Sequence, residues 1–362
     1  MLSQILNYKT QDGGKNYEFI DKRGYMAKIV FYCRIKKELL ETVEFYKQDI
    51  ETLKTLGHEV LICTHYREIP IRFDVIFIWW WTYAAWPIMF AKLLGKPSIV
   101  TGTFNFRFPK HFAGRDYFGR PLLQRLLIRL AVKMATINVF VSKQEYDACT
   151  NYFNLSNSKF CYHILDSTYL RGPAQEREVS ILNVSWSGKQ NLIRKGIPEL
   201  LKAIKILRED GLMDTKVYLA GHKGDGYEFL KKEIINLDIK DNVELLGEIT
   251  KKEKINYLRR CEIYVQPSHY EGFGLAIAEA MGSGACVITC KVGAVEEVVG
   301  NAGIYVNPGS AKELAEALKE IINNDALRKN YQKLAFVRAK SLFAQENKIK
   351  FMHDILKLLN IY

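Results

Sequence analysis

Two acidic side chains stand eight positions apart in Pro267-Ser-His-Tyr-Glu-Gly-Phe-Gly-Leu-Ala-Ile-Ala-Glu279-Ala-Met-Gly-Ser-Gly284. Glu271 opens a Gly-Phe-Gly turn, and Glu279 falls on the helix predicted by the run that follows. The glycines free the backbone of the turn. The first N–H groups of a helix have no internal acceptor and lie at the positive end of its dipole, which suits phosphate. Eight residues is slightly more than two turns at about 3.6 per turn, so the spacing predicts both carboxylates on one side. An anion site flanked by two acceptors for hydroxyl hydrogens is what a nucleotide-sugar requires.

A second segment could supply charge. Gly188 frees the backbone ahead of Lys189-Gln-Asn-Leu-Ile-Arg-Lys-Gly196, which follows a predicted strand. Lys189 and Lys195 thus flank a loop at a strand's carboxyl end, where open α/β sheets bind ligands. Two ammonium groups there could neutralise a diphosphate leaving group. His269 reads as a loop residue. The few histidines show no zinc spacing, and no metal or cofactor is expected.

The elements that must position these residues alternate. Strands are predicted at 27–33, 59–64, 74–79, 98–101 and 137–142, with helices over 39–56, from 80 to 94, and over 122–135. The pattern breaks near Arg171-Gly-Pro-Ala-Gln-Glu-Arg177 and restarts with strands at 181–185, 216–220, 243–246, 263–266 and 286–290. Helices at 197–209, 227–236, 251–259 and 311–323 separate or follow them. The fold class is therefore α/β: two Rossmann-like parallel-sheet domains facing each other across a cleft. The expected division is an N-terminal extension over 1–25, a first domain over 26–170, a second over 176–343, and a C-terminal helix over 344–362 packing back on the first. The 362 residues suffice for two domains, and 48% hydrophobic with 25% charged content excludes a disordered chain. The seven scattered cysteines read as reduced, buried thiols, consistent with a cytoplasmic location. Formal net charge of +12 favours an anionic partner.

From Ile181 to Asn323 the chain resembles the retaining glycosyltransferases of family 4, which have the GT-B fold. The resemblance rests on Gly188-Lys189, Arg194-Lys195-Gly196, Gly221 after a strand, Gly247, Pro267-Ser268, Glu271-Gly-Phe-Gly, Glu279-Ala-Met, Gly284 and Asn307-Pro308-Gly309. It implies transfer of a hexose from a UDP, GDP or ADP sugar to a glycan or lipid-linked glycan, as in polysaccharide biosynthesis. By the resemblance, Glu279 would hold the donor ribose and Glu271 would contact the sugar. The backbone of Gly272, Phe273, Gly274 and Leu275 would bind the distal phosphate. Lys189 and Lys195 would balance the diphosphate, and the backbone from Leu246 to Ile249, beside Gly247, would meet the base. Such enzymes need no metal, and this chain has no Asp-x-Asp, the metal-diphosphate handle of the other major transferase fold. With no enzymic nucleophile in view, a same-face mechanism is expected, the donor phosphate taking the acceptor's proton.

The first half departs from that pattern. The family often has a Gly-Gly loop after the first strand, where this chain reads Arg34-Ile-Lys-Lys37. It often has a histidine after the fourth strand, where this chain reads Thr101-Gly-Thr-Phe-Asn105. Gly102 and Thr103 are the acceptor-side candidates, and no catalytic base is assigned. Where the family usually has arginine, Lys189 keeps the charge without the bidentate fork. These departures keep a non-catalytic nucleotide-sugar-binding subunit open as an alternative; an epimerase on a similar fold is the other. Residues 106–133 interleave seven basic residues with aromatics and leucines. Two readings fit: peripheral attachment to an anionic membrane surface on its inner face, or a helix packed on the sheet with its arginines in water. Charge alone does not make a nucleic-acid site, and no nucleic-acid partner is expected.

Overall fold

The computed structural model describes residues 9–11, 14–16, 26–108, 116–185, 188–212, 214–221 and 224–361. These fall into two compact units. The first comprises residues before 108, residues 116–164 and residues 345–361. The second comprises residues 165–344 together with Phe108.

In the first unit a short antiparallel pair, β1 (Lys9–Gln11) and β2 (Gly14–Asn16), stands apart from the main sheet. The rest of the expected 1–25 extension lies outside the described residues. The main strands are β3 (Lys28–Tyr32), β4 (Glu59–Cys63), β5 (Val75–Trp79), β6 (Ser98–Gly102), β7 (Ile137–Phe140) and β8 (Ser158–Phe160). They form a parallel sheet in the order β4-β3-β5-β6-β7-β8. Its helices are α1 (Lys37–Thr42), α2 (Glu44–Thr55), α3 (Ala85–Leu93), α4 (Leu122–Met134) and α5 (Lys143–Phe153). β5 is buried at every position, as a strand covered on both faces must be.

One sequence expectation changes here. The helix expected over 39–56 is two helices, because Val43 is extended (φ −88°, ψ 115°) between α1 and α2. The apolar run from Val75 to Leu94 is a strand, a bend at Trp80 (φ 76°) and α3. Trp79 and Trp81 are core residues: their indole N–H groups donate to Asp49 (2.9 Å) and Asn138 (2.7 Å). α5 and β8 were not anticipated.

The second unit contains β9 (Glu178–Val184), β10 (Lys216–Ala220), β11 (Val243–Gly247), β12 (Cys261–Gln266), β13 (Cys286–Thr289) and β14 (Ile304–Tyr305). Its helices are α6 (Lys189–Arg194), α7 (Ile197–Glu209), α8 (Gly226–Asn236), α9 (Lys251–Arg260), α10 (Leu275–Gly282), α11 (Val295–Val299), α12 (Ala311–Asn323) and α13 (Asp325–Leu342). The parallel order is β11-β10-β9-β12-β13-β14, the doubly wound Rossmann arrangement, with its reversal between β9 and β12. α7 and α12 pack together, burying Leu200, Ile204, Leu314 and Leu318 against β9 and β12. α13 escaped the sequence reading because its apolar residues are spread around the helix and form no single stripe. Among the described residues all seven cysteines are free.

The last helix, α14 (Gln345–Leu358), belongs to the first unit, where Ile349, Met352, Ile355 and Leu356 join the core beneath α2. Lys348 on α14 forms a buried ion pair with Asp49 on α2. Burial pushes the Asp49 carboxyl up; Lys348 and the Trp79 indole oppose it. Losing one partner of a buried pair costs about 3–5 kcal/mol. Lys348→Ala is therefore expected to lower unfolding free energy by that order, read by urea denaturation with the α14 amides followed by hydrogen exchange. A loss below about 1 kcal/mol would mean the pair does not anchor the helix.

Candidate functional site

The two motifs leave neighbouring strands. The Gly188–Gly196 segment follows β9 and the Pro267–Gly274 segment follows β12, and these strands pair where the sheet order reverses. Crevices at such reversals are where open α/β sheets place ligands.

The loops are bound to each other through backbone. Gly196 is left-handed (φ 69°), and a Cβ there would lie 2.1 Å from the Pro267 carbonyl oxygen. The His269 N–H donates to the Arg194 carbonyl (2.8 Å). The Arg194 guanidinium donates to the Tyr270 carbonyl (2.6 Å) and the Asn191 side-chain oxygen (2.7 Å). A third loop, after β13, closes from the other side. Gly293 leaves no room for a Cβ beside the Glu271 carbonyl, which accepts from the Ala294 N–H (3.2 Å).

This frame fixes the Glu271 carboxylate, which is buried. Its Oε1 accepts from Gln266 Nε2 (2.9 Å) and Ser268 Oγ (3.0 Å). The same oxygen lies 3.1 Å from Lys195 Nζ and 3.3 Å from an Arg194 guanidinium nitrogen. Tyr264 donates to Gln266 Oε1 (2.9 Å), turning the amide so that its N–H faces Glu271. Burial alone would raise the Glu271 carboxyl, but Lys195 and then Arg194 outweigh it and hold it below its ordinary range. Burial pulls the Lys195 ammonium down, opposed first by Glu271 and, more weakly, by Glu279. Both carboxylates therefore act on Lys195.

The helical count behind that expectation needs correcting. Gly274 is left-handed (φ 90°) and caps α10, so only Glu279 sits on the helix and Glu271 precedes it. The turn, not a continuous helical face, sets the relation between them. Glu279 is buried, and its Oε1 lies 2.9 Å from Lys254 Nζ on α9. The Lys254 ammonium also lies over the Tyr169 ring at 5.0 Å.

The remaining predicted residues fall into three groups. Gly272, Phe273, Gly274 and Leu275 form the turn and first helical residue of α10, with Phe273 buried against Phe343. Gly221 and Gly247 come together at the ends of β10 and β11: the Gly221 N–H donates to the Gly247 carbonyl (2.8 Å). Both line a small pocket with Ser185, Tyr227 and Leu230. Leu246 and Ile249 flank Gly247 and are half-buried. Gly188 caps α6, and the Lys189 N–H donates to Asp225 (2.9 Å). The Lys189 side chain is exposed, its ammonium 5.3 Å from the Phe229 ring centre; the cations on Glu271 are Arg194 and Lys195. In the first unit, Gly102 (φ 137°) lies against Trp80, and Thr103 leads into a loop whose next two N–H groups donate to Glu145 (2.8 and 2.6 Å).

Sequence reasoning missed Arg194 and Lys254 as partners of the two glutamates. Arg194 stood inside the motif, and its separation from the turn hid its reach. Lys254 is one of several cations on a helix reading Lys-Lys-Glu-Lys-Ile-Asn-Tyr-Leu-Arg-Arg, and nothing in that run singles it out. Among the described residues no cluster of His, Cys, Asp and Glu is arranged to hold a metal.

Residues 186–337 match the family model described as glycosyl transferases group 1. The match lies wholly within the second unit. The O-antigen chain mannosyltransferase RfbU of Salmonella typhimurium is 25% identical over 289 residues, 79% of this chain and 71% of that protein. Other curated relatives match more locally, the chain spanning 33% to 43% of their lengths. Among solved structures, Anabaena HepE in complex with UDP and glucose superposes with a TM-score of 0.71 at 17% identity, over 91% of this chain and 99% of that one. A glycosyltransferase from Rickettsia africae gives a TM-score of 0.71 at 17% identity, covering 92% and 98%. The fold is GT-B.

Two outcomes test this framework. A group whose folded pKa is depressed stabilises above its unfolded value and loses that contribution as pH falls through the folded value. The stability difference between the native protein and Glu271→Gln should thus be largest above the ordinary glutamate value of 4.5 and shrink below it. Denaturant titrations from pH 3 to 7 measure it, and a difference that grows on acidification would contradict the assignment. Gly196→Ala must push the Pro267 carbonyl aside, at about 1–3 kcal/mol. Thermal unfolding unchanged from the native protein would count against the loop contact.

Proposed function

We propose that the chain is a retaining, metal-independent hexosyltransferase acting from a nucleoside-diphosphate sugar onto a glycan or lipid-linked glycan. The observation that carries this reading is the Lys195–Arg194–Glu271 cluster, buried at Lys195 and Glu271, at the turn that opens α10. In this reading the Gly272–Leu275 backbone and the α10 dipole receive the distal phosphate. Lys195 and Arg194 meet the charge that builds on the leaving diphosphate, the work a divalent ion performs elsewhere. Glu271 aligns both cations and faces the sugar. Glu279 accepts from the ribose hydroxyls, with Lys254, 2.9 Å away, orienting its carboxylate. The pocket at Gly221 and Gly247 lies on the base side, with Leu246 and Ile249 beside it.

Retention comes in this reading from the resemblance to the family 4 enzymes; with no nucleophile assigned in the turn, the attacking hydroxyl and the leaving phosphate share one face, and the phosphate takes the proton. The names of relatives support a hexosyl donor and a polysaccharide acceptor, since RfbU and a second relative from Escherichia coli are O-antigen mannosyltransferases. Gly102, at the end of β6, and Thr103 stay the acceptor-side candidates, just ahead of the Phe104 and Asn105 N–H groups that Glu145 holds.

A charge-assisted hydrogen bond contributes about 1.5–3 kcal/mol, roughly one to two orders of magnitude in rate or affinity. Glu279→Ala is expected to lower kcat/KM for the donor by that factor, measured by radiolabelled sugar transfer from UDP, GDP and ADP sugars at subsaturating concentration. Unchanged kinetics would remove the ribose role. Lys189 and Lys195 separate in the same assay: Lys189→Ala, at an exposed position, should cost less than tenfold and Lys195→Ala much more. The reverse order would return the diphosphate role to Lys189.

A further inference from the structure

The 106–133 stretch was read as aromatic and basic together. The structure separates the two. Phe106, Tyr117 and Phe118 turn inward and pack with Phe104, Tyr152 and Phe153, at ring separations such as 5.8 Å for Phe104–Tyr117 and 5.3 Å for Phe106–Tyr152. Arg107 and Arg125 cover that cluster, 4.8 Å from the Phe118 ring and 5.4 Å from the Tyr117 ring. Lys110, Phe112 and Arg115 lie outside the described residues.

What remains outside is aliphatic. α4 buries Ile128, Ala131 and Val132 on one side. Its opposite side is also apolar: Leu122, Leu123, Leu126 and Leu130 are 74%, 70%, 63% and 40% exposed. At about 100° per residue these four fall within one arc of roughly a third of the helix. Arg129 and Lys133 lie in or beside the same arc. The helix packed next to it, α3, adds Trp86 and Leu93, which are 68% and 85% exposed. Single exposed leucines need no explanation, but a second apolar stripe on one helix, with an exposed tryptophan and leucine on the helix packed against it, does.

Charge identifies the occupant. α3 and α4 contain Lys92, Arg125, Arg129 and Lys133 and not one aspartate or glutamate. An apolar stripe edged by cations, with tryptophan beside it, matches the headgroup–acyl boundary of an anionic bilayer. A protein partner of balanced surface charge would be expected to meet acidic side chains as well, and neither helix has one. α4 has 13 residues, and among the described residues no helix is long and apolar enough to cross a membrane, so it lies on the surface.

We propose that the α3–α4 face of the first unit docks on an anionic lipid surface, the four leucines and Trp86 entering the interface and Arg129 facing the headgroups. The proposal is independent of the donor chemistry. Its test is co-sedimentation of the full chain with vesicles of phosphatidylcholine alone and of phosphatidylcholine with about a third phosphatidylglycerol. Binding is expected to the anionic vesicles only, weakening as salt rises. Leu123→Glu with Leu126→Glu should reduce partitioning at least tenfold while circular dichroism and sugar transfer to a soluble acceptor persist. Both positions are exposed, so folding should survive; if it does not, Leu130→Gln is the second variant. Brominated lipid should quench a fluorescence component that Trp86→Phe removes. Failure of the native protein to bind anionic vesicles would overturn the proposal, as would unchanged binding by the glutamate variant. Concentration-dependent dimerisation abolished by those glutamates, without vesicle binding, would assign the face to a second copy instead.

Discussion

A buried carboxylate cannot stand alone in a protein interior, and Glu271 does not. It holds Lys195 and Arg194 against one oxygen while Gln266 and Ser268 donate to the same atom. Charged groups removed from water cost several kcal/mol each unless such geometry offsets it. The loops around them are correspondingly rigid: Gly196 and Gly293 bring backbone against backbone where any side chain would intrude. Glu271 is therefore both a product of this frame and the reason it must be tight. Loosening any of the three loops would leave a desolvated charge without its partners.

The sheet explains why these loops meet at all. Parallel order places every strand's carboxyl end on one edge, and the reversal between β9 and β12 opens a gap between the helices that follow them. Side chains from α6 and from the turn before α10 then share that gap without long excursions. The second carboxylate is held differently. Glu279 lies within a helix and is answered by one lysine from the next helix in chain order before it. One acid thus aligns two cations, and the other is oriented by one, which gives each a distinct chemical task.

Much of this was legible in the residues. The strand and helix alternation gave both sheets because buried parallel strands read as continuous apolar runs, as at Val75–Trp79 and Cys286–Thr289. The Glu271 turn was visible because only a glycine turn tolerates φ 90° at Gly274. What escaped were features set by three-dimensional neighbours. Val43 breaks a helix whose periodicity runs through it. α13 has no clean stripe, since its contacts are with several elements of the second unit. Spacing singled out Lys189 with Lys195; it could not show that Arg194, at the end of α6, reaches the Tyr270 carbonyl and Glu271 while the Lys189 ammonium lies over Phe229. The indole partners of Trp79, Trp80 and Trp81 escaped as well, since Asp49, Tyr46 and Asn138 lie far from them in the chain.

The account rests on protein cations receiving a pyrophosphate. Isothermal titration of UDP, GDP and ADP into the full chain, in EDTA, addresses it directly when Lys195→Met is run alongside and its fold checked by circular dichroism. The account predicts that at least one nucleotide binds the native protein in EDTA and that the folded variant loses tenfold or more in affinity. Binding that vanishes in EDTA and returns with magnesium, or a variant that binds as tightly as the native chain, would contradict it.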